Sequence, residues 1–295
     1  MDRAAFYAHL RKRDSGLFGT SLSQRTVDGM EAILDEIEDA GADLGQAAYI
    51  LATGYGESGR KMYPVRENMN YTATRLAQVF GAHRRQGHSP QELAHNPELL
   101  ANVVYGGAWG VKNLGNTEPG DGWAFRGALI GQNTGRRNFE KLSRDLGVDL
   151  IGRPELLDEL WVAAKALVKP MMEGTATGLG LREFVSGNRR DYMGARQVWN
   201  GSFMASEFAG FARDFERALK AAGYTTPEPD EEAEPTPPQA TPEALDPISG
   251  HDGPRIPVID ALPPRQTPDG ASGGISWGAV FAGLGRWLVS IFKRS

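Results

Sequence analysis

Two glutamates, Glu57 and Glu67, stand ahead of a glycine-rich stretch from Gly115 to Gly127 that leads into Gln132-Asn133-Thr134-Gly135-Arg136-Arg137-Asn138-Phe139. A carboxyl pair cleaves a glycosidic bond when one member is protonated and gives its proton to the leaving oxygen, while the other is ionised and activates water. The downstream amides and hydroxyl suit a sugar and that water. Glu118 and Asp121 offer other second carboxylates beside the glycines, but Asp121 reads as a turn former through its own backbone. His83, His88 and His95 lie in a Pro- and Gln-containing segment without an i, i+4 pair, so they read as packed or solvent-facing and no metal is expected. No Gly-Lys-Ser/Thr run marks a nucleotide site.

Helices must position these groups. Val27, Met30, Ile33, Leu34 and Ile37 recur at helical spacing after Ser21 or Ser23, and Gly41 ends the run. Asp43 can cap a helix carrying Ala47, Ile50 and Leu51 toward Glu57, which puts that glutamate at a helix C-terminus. Ser89-Pro90 and Asn96-Pro97 each place a capping side chain before a proline at the first helical position. Thr134 is read as the cap of a helix bearing Phe139, Leu142 and Leu146 that stops at Gly147. Pro154 is read as opening a helix through Leu157, Leu160, Trp161, Ala164 and Leu167 that breaks at Pro170. Phe208, Phe211, Phe215 and Leu219 form the core face of a last helix. Short strand signals fall at Val103–Trp109 and Trp123–Ile130. The expected fold is mainly α, an α+β domain of two helical lobes with a small β element and a central cleft beneath the glycine-rich loop.

Composition divides the chain of 295 residues into a globular part (1–224), a linker (225–274) and a tail (275–295). The linker is rich in Pro, Glu, Asp, Thr and Gly and too poor in apolar residues to offset the entropy of ordering. It carries most of the acid behind the net charge of −5, and no basic stripe with interleaved aromatics appears, which argues against nucleic acid. The absence of cysteine removes disulfides, thiolate catalysis and Cys-based zinc sites. Met1–Thr20 lacks the apolar core of a secretory signal, so passage from the host cytoplasm to the periplasm or cell envelope needs another route. In the tail, Trp277, Val280, Phe281, Leu284, Leu288 and Ile291 share one helical face and Ser276, Gly283, Arg286, Ser290 and Lys293 the other. That pattern suits an amphipathic helix in an anionic membrane surface better than a span, because Arg286 inside hydrocarbon costs about 2.5–3.5 kcal/mol.

Leu51-Ala52-Thr53-Gly54-Tyr55-Gly56-Glu57-Ser58-Gly59, Arg66-Glu67-Asn68-Met69-Asn70-Tyr71, Gly-Asp-Gly-x-x-Phe-Arg-Gly and Gln-x-Thr-Gly-Arg-x-Asn-Phe follow one another in one order. Together, over roughly residues 45–205, they resemble glycoside hydrolase family 19, the chitinases and phage or bacterial endolysins with a lysozyme-like fold. The resemblance implies an inverting mechanism without a cofactor, with Glu57 as general acid and Glu67 as general base. Inversion sets such carboxyls about 6.5–9.5 Å apart, leaving room for water. It further implies that Gln132, Thr134 and Asn138 hold substrate. Val198-Trp199-Asn200-Gly201 resembles the family's Ile-Asn-Gly-Gly segment and adds Asn200. Arg126 belongs to the matching loop, and Tyr105, Trp109 and Trp123 are candidate platforms for pyranose rings. The chain departs from the family at Gly56, where His is usual, and at Ala128, where Arg is usual. Both departures remove groups from the expected cleft. The expected substrate is peptidoglycan, cleaved at a β-1,4 bond between amino sugars. The alternatives are chitin cut by the same chemistry, and a glycan-binding protein that lost it.

Overall fold

The computed structural model describes residues 1–129 and 133–226. Gln132, the linker beyond Thr226 and the tail lie outside the described residues. The chain is mainly helical, as an α-rich lysozyme-like fold requires. Its helices are α1 (Arg3–Leu10), α2 (Gln24–Asp39), α3 (Leu44–Glu57), α4 (Ala73–Val79), α5 (Pro90–Leu93) and α6 (Pro97–Val104). They continue with α7 (Gly107–Leu114), α8 (Asp121–Ala124), α9 (Arg136–Leu146), α10 (Leu160–Glu173) and α11 (Ala205–Ala221). Among the described residues, two short antiparallel pairs complete the framework: β1 (Val65–Arg66) with β2 (Ala128–Leu129), and β3 (Val185–Ser186) with β4 (Arg189–Arg190).

Local chemistry explains most helix starts. The Ser23 hydroxyl accepts the Thr26 N–H at 3.1 Å at the head of α2. Asp43 accepts from Gly45 and Gln46 while the Gln46 side chain returns to the Asp43 N–H, a reciprocal cap that fixes where α3 begins. Ser89 and Glu92 repeat it at α5, and Asn96 caps α6.

Three elements differ from the sequence reading. Val103–Trp109 is not a strand: it holds the end of α6 and the start of α7, because burial of Val103, Val104 and Tyr105 on a helical face overrides their β preference. Pro154 opens a separate 3₁₀ turn (Pro154–Asp158) before α10. Proline does not break α10 either. Pro170 lies in its last turn, where only one helical bond is lost, and the helix ends at Gly174 with φ 77°.

Three apolar clusters form among the described residues. The largest joins α1, α2, α3, α10 and α11 around Phe6, Ile33, Tyr49, Leu51, Leu167 and Phe215. Eleven of the fourteen residues of α3 are buried, as expected of a helix that is apolar all round. Leu76, Leu93, Leu100, Val104 and Tyr105 form a second cluster. The third contains Phe125, Ala128, Phe139, Leu150, Leu157 and Val162. Each fully buried Leu, Ile or Phe contributes about 1.5–3 kcal/mol, so all three clusters are firm supports. Glu57 ends the central helix of the first, whereas Glu67 follows β1 where the second and third approach.

Candidate active site

The backbone between the glutamates is tightly specified. Gly59, Arg60 and Met62 all have positive φ (61°, 69° and 64°), two of them without the freedom of glycine. The turn is held because the Ser58 hydroxyl accepts N–H bonds from Lys61 (3.1 Å) and Met62 (2.8 Å). The Met62 side chain is fully buried in the first cluster. Its carbonyl lies against Gly29 of α2, where an added Cβ would also stand 2.9 Å from the Met62 carbonyl carbon. Glycine is thus required inside α2 to let this loop approach.

β1 then delivers Glu67. Arg66 pairs with Ala128 across the ladder, and the Glu67 N–H donates to the Gly127 carbonyl at 2.8 Å. Arg66 anchors the strand by donating to Asp158 at 2.8 Å and to the Pro154 carbonyl. The Glu67 carboxylate accepts the Tyr105 hydroxyl at both oxygens, 2.8 and 2.9 Å, and the Gly127 N–H at 3.3 Å. Burial raises its pKa above the usual carboxylate range. The bonds from Tyr105 and Gly127 and the charges of Arg126 and Arg84 oppose that rise without cancelling it. Tyr105 is itself pushed well above the usual phenol value, first by burial and then by the Glu67 charge, so its hydroxyl stays a donor.

Gly127 separates Glu67 from Thr134. A Cβ added there would lie 3.2 Å from Glu67 Oε2 and 3.5 Å from Thr134 Oγ1. The hydroxyl and the carboxylate therefore face one small space. Thr134 is buried and does not cap α9; Gly135, with φ 92°, holds the cap position instead. Asn138 donates to the Thr134 carbonyl at 2.8 Å, fixing that residue from behind.

Glu57 has a different surrounding. Its carboxylate, 10% exposed, pairs with Arg196 Nη2 at 2.6 Å. Arg196 is buried, donates from Nε to the Phe203 carbonyl at 3.0 Å, and lies over the Phe208 ring with 3.7 Å between guanidinium carbon and ring centre. Its Nη1 has no partner among the described residues, and neither has Oδ1 of the buried Asn200, whose N–H bonds the Arg196 carbonyl. A buried donor and a buried acceptor are thus left open on one short segment.

Other candidates are placed differently from the sequence reading. Tyr105 is buried and offers no face for stacking. Arg126 donates to the Trp123 carbonyl at 2.7 Å and lies 3.5 Å from the Trp123 ring centre, so one face of Trp123 is occupied by the protein. Trp109 is covered likewise by Arg84 at 3.3 Å. Asp121 is engaged: burial opposes its ionisation, but the paired bonds from Arg136 (2.8 and 2.6 Å) and the Glu118 N–H (3.0 Å) prevail and lower its pKa. It closes the glycine-rich loop and is not free for catalysis. Sequence reading missed Arg196; a cation inside Gly194-Ala195-Arg196-Gln197-Val198-Trp199, bound for a buried turn, was the available signal that a carboxylate must meet it.

No family model matches the chain. The chain is similar to a glycosyl hydrolase family 19 domain-containing protein of Haemophilus influenzae, 31% identical over 122 residues. That stretch is 41% of this chain and 58% of the relative, so the chain spans less than two thirds of that protein's length.

Proposed function

We propose that the chain is a glycoside hydrolase of the family 19 kind that cuts β-1,4 bonds between amino sugars in peptidoglycan, as an endolysin does. The likeness to a family 19 domain-containing protein supports a polysaccharide substrate in general. The observation that carries the reading is the enclosure of the Glu67 carboxylate beside the Thr134 hydroxyl. Glu67, enclosed beside Thr134 and Gly127 with a raised pKa, is a stronger base than a solvated glutamate and is set to draw a proton from water. Glu57 takes the acid role from the family resemblance, giving its proton to the leaving oxygen, and Arg196 is the cation nearest the carboxylate that results. Thr134 steadies the water. Asn200 joins the substrate-holding set by the resemblance, and Asn138 keeps Thr134 in place. Gln132 joins the substrate-holding set on sequence grounds.

The test is Glu57→Gln beside the parent on purified peptidoglycan, with the anomer of the new reducing end read by NMR. The proposal expects an inverted product from the parent and a loss of about 10²–10⁴-fold in the variant. Equal cleavage by both removes Glu57 from its role. A parent that cuts chitin oligomers but not peptidoglycan places it with the chitinases. A parent that binds either glycan without cleaving makes it a binding protein. Residues 275–295 would hold the enzyme at an anionic bilayer; unchanged liposome binding after their deletion would refute that part.

A further inference from the structure

Gly56, next to Glu57, is where the resemblance leads one to expect a histidine. The structure supplies a reason for glycine. A Cβ added at 56 would lie 2.5 Å from Phe208 Cε1 and 3.1 Å from Cε2, against the ring's edge. Phe208 stands in the first turn of α11, is buried, and presents a face to the Arg196 guanidinium at 3.7 Å. That guanidinium is the group that holds Glu57 at 2.6 Å. α3 therefore leaves a gap at 56, the ring fills it, and the partner of Glu57 rests on the ring.

We infer that Phe208 is a positioning residue for Glu57: it occupies the space left by Gly56 and seats Arg196, which fixes the carboxylate. Its catalytic consequence rests on the role proposed for Glu57. A planar cation stacks on an aromatic face as it cannot on an aliphatic chain. Core packing alone would be satisfied by leucine at 208, whereas seating Arg196 requires the ring. Gly56 and Phe208 form a matched pair, in which a side chain at 56 displaces the ring and loss of the ring unseats the arginine.

The experiment follows the Arg196 Nε and Nη protons by NMR in the full chain, comparing the parent with Phe208→Leu and, as a second route, Gly56→Ala. Both variants should exchange these protons about 30-fold faster, the equivalent of about 2 kcal/mol for a desolvated cation–π contact. On glycan, kcat should fall by a similar factor with KM little changed. Phe208→Ala combined with Gly56→His, which returns a side chain to the vacated space, should recover at least about 5-fold in kcat over Phe208→Ala. Parent-like exchange in a folded Phe208→Leu protein overturns the inference. Faster exchange in variants of a parent that cleaves no glycan supports the seating of Arg196 and instead refutes the hydrolase reading.

Discussion

Removing one hydroxyl, by Tyr105→Phe, should move the acid limb of the pH–activity profile to higher pH. The Tyr105 hydroxyl contacts both Glu67 oxygens, at 2.8 and 2.9 Å, and the only other direct donor described is the Gly127 N–H at 3.3 Å. Phenylalanine keeps the ring, its edge-on packing with Phe80 at 6.4 Å and its contact with Arg84 at 5.7 Å, so the second cluster should stay intact. What disappears is a hydrogen bond to a charged group, worth about 1.5–3 kcal/mol. At 1.36 kcal/mol per pH unit, the balance of Glu67 shifts about 10- to 150-fold toward its protonated form.

A base must be ionised to accept a proton, so activity is lost as pH falls through the pKa of Glu67. In the variant the same loss should occur about one to two units higher. Above the limb, kcat/KM should stay within a few-fold of the parent. The assay is kcat/KM against pH on a soluble glycan fragment, with the melting temperature of both proteins recorded at each pH. A limb that stays in place, or moves to lower pH, in a stably folded variant would show that Glu67 is not the group titrating in catalysis.

Two further outcomes follow from the same geometry. Glu67→Gln should abolish cleavage and change stability with pH. Because the folded-state pKa of Glu67 is raised by burial, its favourable contribution is complete below the unfolded value and is lost as pH rises through the folded value. The variant should therefore gain melting temperature over the parent at pH 8 but not at pH 4, and an equal difference at both would contradict the burial. Gly29→Ala, inside α2, would ordinarily stabilise a helix by about 1 kcal/mol. Here the new methyl meets the Met62 carbonyl, so it should destabilise by about 1–3 kcal/mol and lower kcat through the loop joining the two glutamates. A rise in melting temperature would show that this loop yields freely.

What the sequence disclosed was what local chemistry decides. The caps at Ser23, Asp43, Ser89 and Asn96 are contacts between near neighbours, and they form where their side chains predict. The end of α3 at Glu57 is legible for the same reason. Where tertiary demands overrode local preference, the reading failed. Thr134 faces the space beside Glu67 and does not cap α9, and Val103–Trp109 turns helical to bury its side chains. The support of Glu57 was least legible, since Arg196 reaches it across 139 positions of sequence and Phe208 reads from sequence only as one more apolar residue on a helix.

The same distinction separates the surroundings of the two glutamates to which the proposed function gives different tasks. Neither glutamate inherits its surroundings from its side chain alone. Glu67 is shaped by partial burial and by one phenol that keeps its proton. Glu57 is shaped by a buried guanidinium that itself depends on a ring and on the absence of a side chain at 56. The two carboxyl groups thus stand in different surroundings, one held by a phenol and the other by a guanidinium. These surroundings also locate sensitivity away from the carboxyls: loss of the hydroxyl at 105 or gain of a methyl at 56 should alter the chemistry while both glutamates are retained.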